Sequence, residues 1–236
     1  DKKNDFGEPV TYLSYKISGS PASYRFLALV GCLGDVYIPE FFDEFVEENK
    51  ELLQGGDKKT PFSIWYNTEF GKIVRLVNSS LKDSTTNVVK MQNYLLEVNG
   101  PYDLLHENKK NKTMFDKFNE LEKRFVVLSE KAEKVGKGLG SSEKVLFFSY
   151  GGLVSMSAEL SNKLSYLFSD KLIIVGYSND QGIILSMRGK MDVRDITKKA
   201  IDGLEGARGG GHKHATGAYI LKRDLDVFLE RVKELV

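Results

Sequence analysis

The chain has 236 residues, 41% hydrophobic and 11% aromatic, which suffices for one large or two modest packed domains and excludes global disorder. Its 34 basic and 33 acidic residues leave a net charge of +1, so bulk charge does not indicate nucleic acid unless the cations segregate onto one face. A single cysteine, Cys32, excludes an intramolecular disulfide and fits a reducing compartment. No apolar run approaches the ~18–20 residues of a membrane span, and no secretory signal pattern opens the chain, so no membrane partner and a cytoplasmic location are expected.

Residues 1–19 are polar and mixed, with Val10-Thr11-Tyr12-Leu13-Ser14-Tyr15 as their one strand-like or short helical stretch. The chain begins at Asp1 rather than methionine, which suggests a processed, trimmed or partial product. Ser20-Pro21-Ala22-Ser23 resembles a helix start, because proline suits a first turn and serine can cap it. The run Phe26-Leu27-Ala28-Leu29-Val30 predicts a buried helix ending in Gly31-Cys32-Leu33-Gly34-Asp35-Val36. Asp35 has two readings at that place: a solvated turn residue, or a metal-ligand carboxylate at the edge of a core. Cys32 beside it reads as a small buried hydrophobe.

Amphipathic helices are predicted over residues 41–53, 67–81 and 87–98, with Trp65 and Tyr66 as core aromatics and Gly100-Pro101 as a breaker. Residues 113–135 carry Met114, Phe118, Leu121, Phe125, Leu128, Ala132 and Val135 at alternating spacings of four and three, the pattern of a long connecting helix. The glycines of residues 136–142 then predict a linker. Beyond it the period changes. Strands are expected at 145–150, 172–177, 183–187 and 218–221, and helices at 155–168, 193–204 and 225–235. Ser155 and Ser157 read as caps, or as residues that face a substrate. His106, in a polar stretch, reads as a surface residue.

Between the last helices lies Arg208-Gly209-Gly210-Gly211-His212-Lys213-His214-Ala215-Thr216-Gly217. Three consecutive glycines cost backbone entropy and bury no side chain, so they answer a geometric demand. One such demand is a loop that brings backbone N–H groups to an anion.

This segment closely resembles the GGGHxxAAG signature of the C-terminal domain of DHH-family phosphoesterases, a group that includes RecJ-like single-strand exonucleases, nanoRNases and cyclic-dinucleotide phosphodiesterases. Thr216 departs from the usual alanine. Ser186-Met187-Arg188 resembles the family's S-x-R stretch, and Gly31-Cys32-Leu33-Gly34-Asp35 its GxxxD metal motif. The resemblance implies an α/β protein: a partial, mostly helical DHH-domain remainder over residues 1–110, a connector helix and linker over 111–140, and a DHHA1-like substrate-binding domain over 141–236. It implies a hydrolase closest to archaeal RecJ-like exonucleases of 5'-3' single-strand type. Mn²⁺ or Mg²⁺ would be the cofactor and single-stranded DNA or RNA the partner, with short oligonucleotides or cyclic dinucleotides as the alternative substrate class. Asp35 is then a metal ligand and, with His212, catalytic. Ser186, Arg188, Gly209, Gly210, Gly211, His212 and His214 are then substrate-binding. Arginine suits this task, since its planar fork pairs bidentately with phosphate oxygens.

One departure is large. The family's Asp-x-Asp and Asp-His-His motifs do not occur, the histidines being His106, His212 and His214 alone. Asp224-Leu225-Asp226 has the letters of the first but opens the last helix. A two-metal centre needs several carboxylates and imidazoles, which Asp35 alone cannot provide. The expectation is therefore a C-terminal portion of such an enzyme, active only with a second polypeptide that carries those motifs. A non-catalytic, RecJ-derived scaffold that binds single strands or helicase-associated replisome proteins is the alternative. The C-terminal domain of alanyl-tRNA synthetases, which shares the signature, fits the GxxxD segment poorly.

Overall fold

The computed structural model describes residues 8–57 and 60–236, which divide into two compact units at the Lys123–Arg124 peptide bond. The unit before that bond is helical. Its elements are α1 (Val10–Ile17), α2 (Arg25–Gly34), α3 (Phe42–Glu48), α4 (Pro61–Asn67), α5 (Glu69–Ser80), α6 (Thr85–Glu97) and the first turns of α7 (Lys112–Gly138). A core of Leu29, Leu33, Phe45, Ile64, Phe70, Ile73 and Leu104 fills it, with the Phe45 and Phe70 rings 4.8 Å apart. No helix among the described residues is long and apolar enough to cross a membrane.

One of the expected helices is divided, and another begins two residues later than expected. Over residues 41–53, α3 stops at Asn49 (φ −136°), whose Nδ2 donates to Phe45 O, and a short 3₁₀ turn, Lys50–Leu53, follows. The apolar residues stay buried because both pieces face the same core. Over residues 67–81, Thr68 leaves helical geometry and caps α5 by accepting from Gly71 N, so Trp65 and Tyr66 belong to a separate α4. Helix α2 runs through its first glycine. A Cβ on Gly31 would lie 2.5 Å from Thr11 Cγ2 of α1, so that glycine permits close helix packing instead of ending the helix.

The expected linker is also revised, because α7 continues through Gly136 to Gly138. Gly136 is buried, and a Cβ there would meet Phe168 Cζ at 2.5 Å and Leu146 Cδ1 at 2.7 Å. The glycine serves contact rather than flexibility.

The second unit is built on a five-stranded sheet in the order β1-β2-β3-β5-β4. The strands are β1 (Val145–Gly151), β2 (Leu172–Ser178), β3 (Ile183–Arg188), β4 (Arg208–His212) and β5 (Ala215–Ile220). The β1–β2 pair is parallel and all others are antiparallel. Three helices complete it: α8 (Ser157–Leu167), α9 (Val193–Ile201) and α10 (Leu225–Glu234). Side chains alternate across a strand, so Leu185 and Met187 of β3 and Ala218 and Ile220 of β5 face α9 and α10 with Val193, Ile196, Phe228 and Val232. The other face takes α8 through Leu160 and Leu164, which are fully buried, whereas Leu167 is exposed.

Candidate glycine-floored anion site

The glycine run is a strand, not a loop. Gly209, Gly210 and Gly211 pair with Ala218, Gly217 and Thr216 in the β4–β5 ladder, so the nest geometry expected from sequence is replaced by an edge strand. Each glycine has a different reason to lack a side chain. A Cβ on Gly209 would lie 3.0 Å from Ala218 Cβ and 3.1 Å from Thr197 Cγ2, so close packing against α9 explains it. Gly211 has φ +142°, and its Cβ would meet Ala215 O at 2.5 Å. Gly210 has no such explanation: beyond its chain neighbours, no atom among the described residues lies within 4 Å of its Cβ position. It is half-buried on the face opposite α9, where its cross-strand neighbour Gly217 is exposed and a Cβ there would meet only Leu185 O, at 3.7 Å, among the described residues.

The ladder registers extend this bare floor into three rows across β4, β5 and β3. The central row is Gly210–Gly217–Ser186, one flanking row is His212–Ala215–Arg188, and the other is Arg208–Tyr219–Ile184. Glycine in a strand interior often marks a place where a ligand or another backbone approaches closely. The structure thus brings together Gly210, His212, Ser186 and Arg188 of the expected substrate-binding residues.

Helix α8 borders β3 on this side and holds its polar side chains. The Ser157 and Ser186 hydroxyls hydrogen-bond each other at 2.9 Å, and Ser155 Oγ lies 3.1 Å from Ser157 Oγ. Ser155 Oγ also accepts from Ser157 N at 3.5 Å at the start of α8, so these serines form a chain to Ser186 as well as meeting the helix end. Tyr150 OH accepts from Met156 N, and burial pushes its phenol up to about 12. Arg188 Nε donates to Asn162 Oδ1 at 2.7 Å, and Nη1 donates to Met187 O at 2.9 Å and Thr216 O at 3.4 Å. Each of these acceptors is neutral. Burial lowers the guanidinium from the ordinary arginine range, with the Glu159 charge acting in the opposite sense and losing to it. Asn162 had no sequence signal, being one polar residue on an amphipathic helix.

His214 takes a different place from His212. Its Nδ1 lies 3.1 Å from both Gly189 O and Met191 O, and Lys213 O accepts from Val193 N at 2.6 Å. His214 therefore ties the β4–β5 turn to the loop that leads into α9. His212 is exposed at the end of β4. Arg208 lies over the Tyr219 ring at 5.1 Å, as its register partner.

Thr216, the departure from the signature, faces α9 and is buried at 4% exposure. Its hydroxyl lies 2.7 Å from Thr197 Oγ1, which in turn donates to Val193 O at 2.7 Å. The change from alanine adds a buried hydroxyl as well as a methyl group, and Thr197 supplies its partner.

Asp35 belongs to the other unit. It is exposed at the C-terminal end of α2, where its N–H bonds Gly31 O and Cys32 O at 3.1 Å each. Cys32 is fully buried, and burial first and the Asp35 charge second push its thiol up to about 12, which fits the inert reading. Among the described residues no three His, Cys, Asp or Glu side chains gather as a metal site. Asp35 by itself does not fit a divalent ion that needs several anionic or imidazole ligands.

Comparison with known proteins adds the family level. The DHHA1 domain model matches residues 143–236. A search of curated protein sequences returned no match. Among solved structures, RecJ of Thermus thermophilus in complex with Mn²⁺ is 16% identical with a TM-score of 0.59, over 95% of this chain and 34% of that one. An exonuclease RecJ bound to manganese is 17% identical, TM-score 0.57, over 95% of this chain and 58% of that one. A pGpG-specific phosphodiesterase from Vibrio cholerae is 10% identical, TM-score 0.51, over 94% and 71%. The chain spans about a third of the Thermus RecJ, and at these identities the likeness is one of fold. Residues 143–236 are thus a DHHA1 domain, in a chain whose fold is that of the DHH-family RecJ proteins.

Proposed function

We propose that this chain serves a DHH-type phosphoesterase, and that its glycine-floored face grips the phosphates of a single-stranded nucleic acid. The observation that carries this reading is Arg188. A half-buried guanidinium whose hydrogen bonds go to neutral oxygens, and on which burial outweighs the nearby Glu159 charge, is costly until an anion arrives. Beside it, Gly210 and Gly217 leave room for a phosphate to approach backbone, and Ser186 and His212 add donors at the edges. A phosphate oxygen pair accepts bidentately from an arginine fork, which gives orientation as well as charge compensation.

Hydrolysis needs more than this face. Asp35 is proposed as one ligand of a Mn²⁺ or Mg²⁺ centre, whose other carboxylates and imidazoles come from polypeptide other than the described residues. The solved RecJ proteins that share the fold were determined with those ions, which supports a divalent cofactor for the assembled enzyme. What this chain contributes on its own residues is binding, orientation and charge balance. Binding to a pGpG-type dinucleotide is the second substrate class, since a phosphodiesterase specific for pGpG also shares the fold.

The test is a titration of fluorescent single-stranded DNA, RNA and pGpG with the chain, at several salt concentrations. A Kd that weakens at least tenfold in Arg188→Ala and in Gly210→Val, at unchanged Tm, supports the reading. Wild-type affinity in both variants overturns it. Mn²⁺-dependent cleavage, assayed with and without a chain bearing Asp-x-Asp and Asp-His-His, then separates a split enzyme from a binding scaffold.

A further inference from the structure

The Arg188 guanidinium is oriented from outside its own strand. Nε donates to Asn162 Oδ1 of α8 at 2.7 Å, and Nη1 donates to the carbonyls of Met187 at 2.9 Å and Thr216 at 3.4 Å. An arginine fork is planar, so three bonds to two of its nitrogens fix that plane, and Nη2 is the nitrogen with no hydrogen-bond partner among the described residues. The chemical nature of the three acceptors matters as much as their positions. An amide oxygen and two backbone carbonyls orient a cation without cancelling its charge, whereas a carboxylate would orient it and neutralise it.

We propose that Asn162 is a positioning residue: its amide oxygen fixes the Arg188 fork for phosphate while leaving the positive charge for the ligand. The proposal rests on the reading of Arg188 as a phosphate ligand and assigns the orienting role to a residue of α8 outside the glycine signature. Asn162 sits on the helix that also bonds Ser186 through Ser157, so α8 aligns both polar side chains of β3. Asparagine and aspartate are nearly the same shape, which lets charge be separated from geometry.

The experiment compares the full-length wild type with Asn162→Leu, Asn162→Asp and Arg188→Ala, measuring Tm and the salt-dependent Kd for a short fluorescent oligothymidylate. Asn162→Leu removes the acceptor, and affinity is expected to fall about tenfold with the salt slope kept, because the charge remains. Asn162→Asp keeps the bond and adds an ion pair, so Tm is expected to hold or rise while affinity falls at least tenfold. Its salt slope is expected to drop by nearly one phosphate contact, ~0.7 on a single strand. A merely structural asparagine predicts the opposite for that variant, namely better stability and wild-type binding, and that outcome overturns the proposal. If Arg188→Ala weakens binding but both Asn162 variants bind as wild type, the proposal fails and the Arg188 reading stands. If Arg188→Ala itself binds as wild type, the reading of the site fails and the proposal with it.

Discussion

Gly210 and Gly217 stand directly opposite each other in the β4–β5 ladder, and neither has a neighbouring side chain in front of its Cβ position. Two facing glycines weaken a sheet, since each forgoes cross-strand packing worth roughly 0.2–1 kcal/mol. Gly209 and Gly211, on either side, are required by contact or by backbone angle. The three positions therefore predict different outcomes. Gly210→Val is expected to keep or raise Tm and to lower oligonucleotide affinity at least tenfold. Gly211→Ala, with a clash at 2.5 Å and a positive φ, is expected to cost about 1–3 kcal/mol in a denaturant melt. Equal stability losses at Gly210 and Gly211 would remove the distinction.

The Thr197–Thr216 pair predicts a strongly coupled double-mutant cycle. Thr197→Val leaves the buried Thr216 hydroxyl without its 2.7 Å partner, which is expected to cost about 1–3 kcal/mol. Thr216→Ala alone leaves Thr197 bonded to Val193 O, so its cost is expected to be smaller. The double variant removes both hydroxyls and is expected to be more stable than Thr197→Val. Urea melts of the four proteins check this, and additive effects would show that the two threonines act independently.

These two cases also show what a sequence carries. The glycine signature, Ser186 and Arg188 were legible because rare residue runs at fixed spacing leave a mark that packing does not erase. The secondary structure of that signature was not, because three glycines carry no periodicity and the β4 edge strand exists only through β5. Asn162 was invisible for a related reason: it is one polar residue of an amphipathic helix, and only the tertiary pairing of α8 with β3 gives it a partner. Gly136 misled because a glycine that ends a helix and one that lets a helix touch a core look the same in one dimension. The apolar strand runs and the α7 stripe from Met114 to Ala132 were the easy part, although Val135, the last residue of the stripe, is exposed.

Cys32 and Tyr150 predict how the fold responds to alkali. Burial raises both groups, the thiol to about 12 from an ordinary 9 and the phenol to about 12 from 10. A raised folded pKa means that the unfolded chain loses its proton first, so their contribution to stability is intact below pH 9. It then declines as pH rises from 9 towards 12, each group at up to about 1.4 kcal/mol per pH unit once its unfolded form has ionised. Urea melts across that range are expected to show the decline, reduced in Cys32→Ala. At pH 8 the thiol is expected to react with a disulfide reagent only as fast as the helical unit opens, and prompt reaction of the native protein would contradict its burial.

Arg188 gives the clearest separation of binding from stability. A guanidinium drawn from water and bonded only to neutral oxygens costs free energy in the unliganded protein, and a well-packed apolar side chain of similar length avoids that cost. Arg188→Met is therefore expected to leave Tm unchanged or raise it in low-salt buffer without phosphate. Adding inorganic phosphate or pyrophosphate is expected to raise the wild-type Tm by mass action and to leave the variant where it was. The wild-type protein should gain about 2.7 kcal/mol at a ligand concentration of a hundred Kd, and the variant nothing. A variant that is destabilised without ligand would mean that Arg188 holds the sheet together through its carbonyl bonds. An equal phosphate response in both proteins would place the anion elsewhere. Only the combination of an indifferent or improved free protein and a lost phosphate response matches a charge left waiting for its ligand.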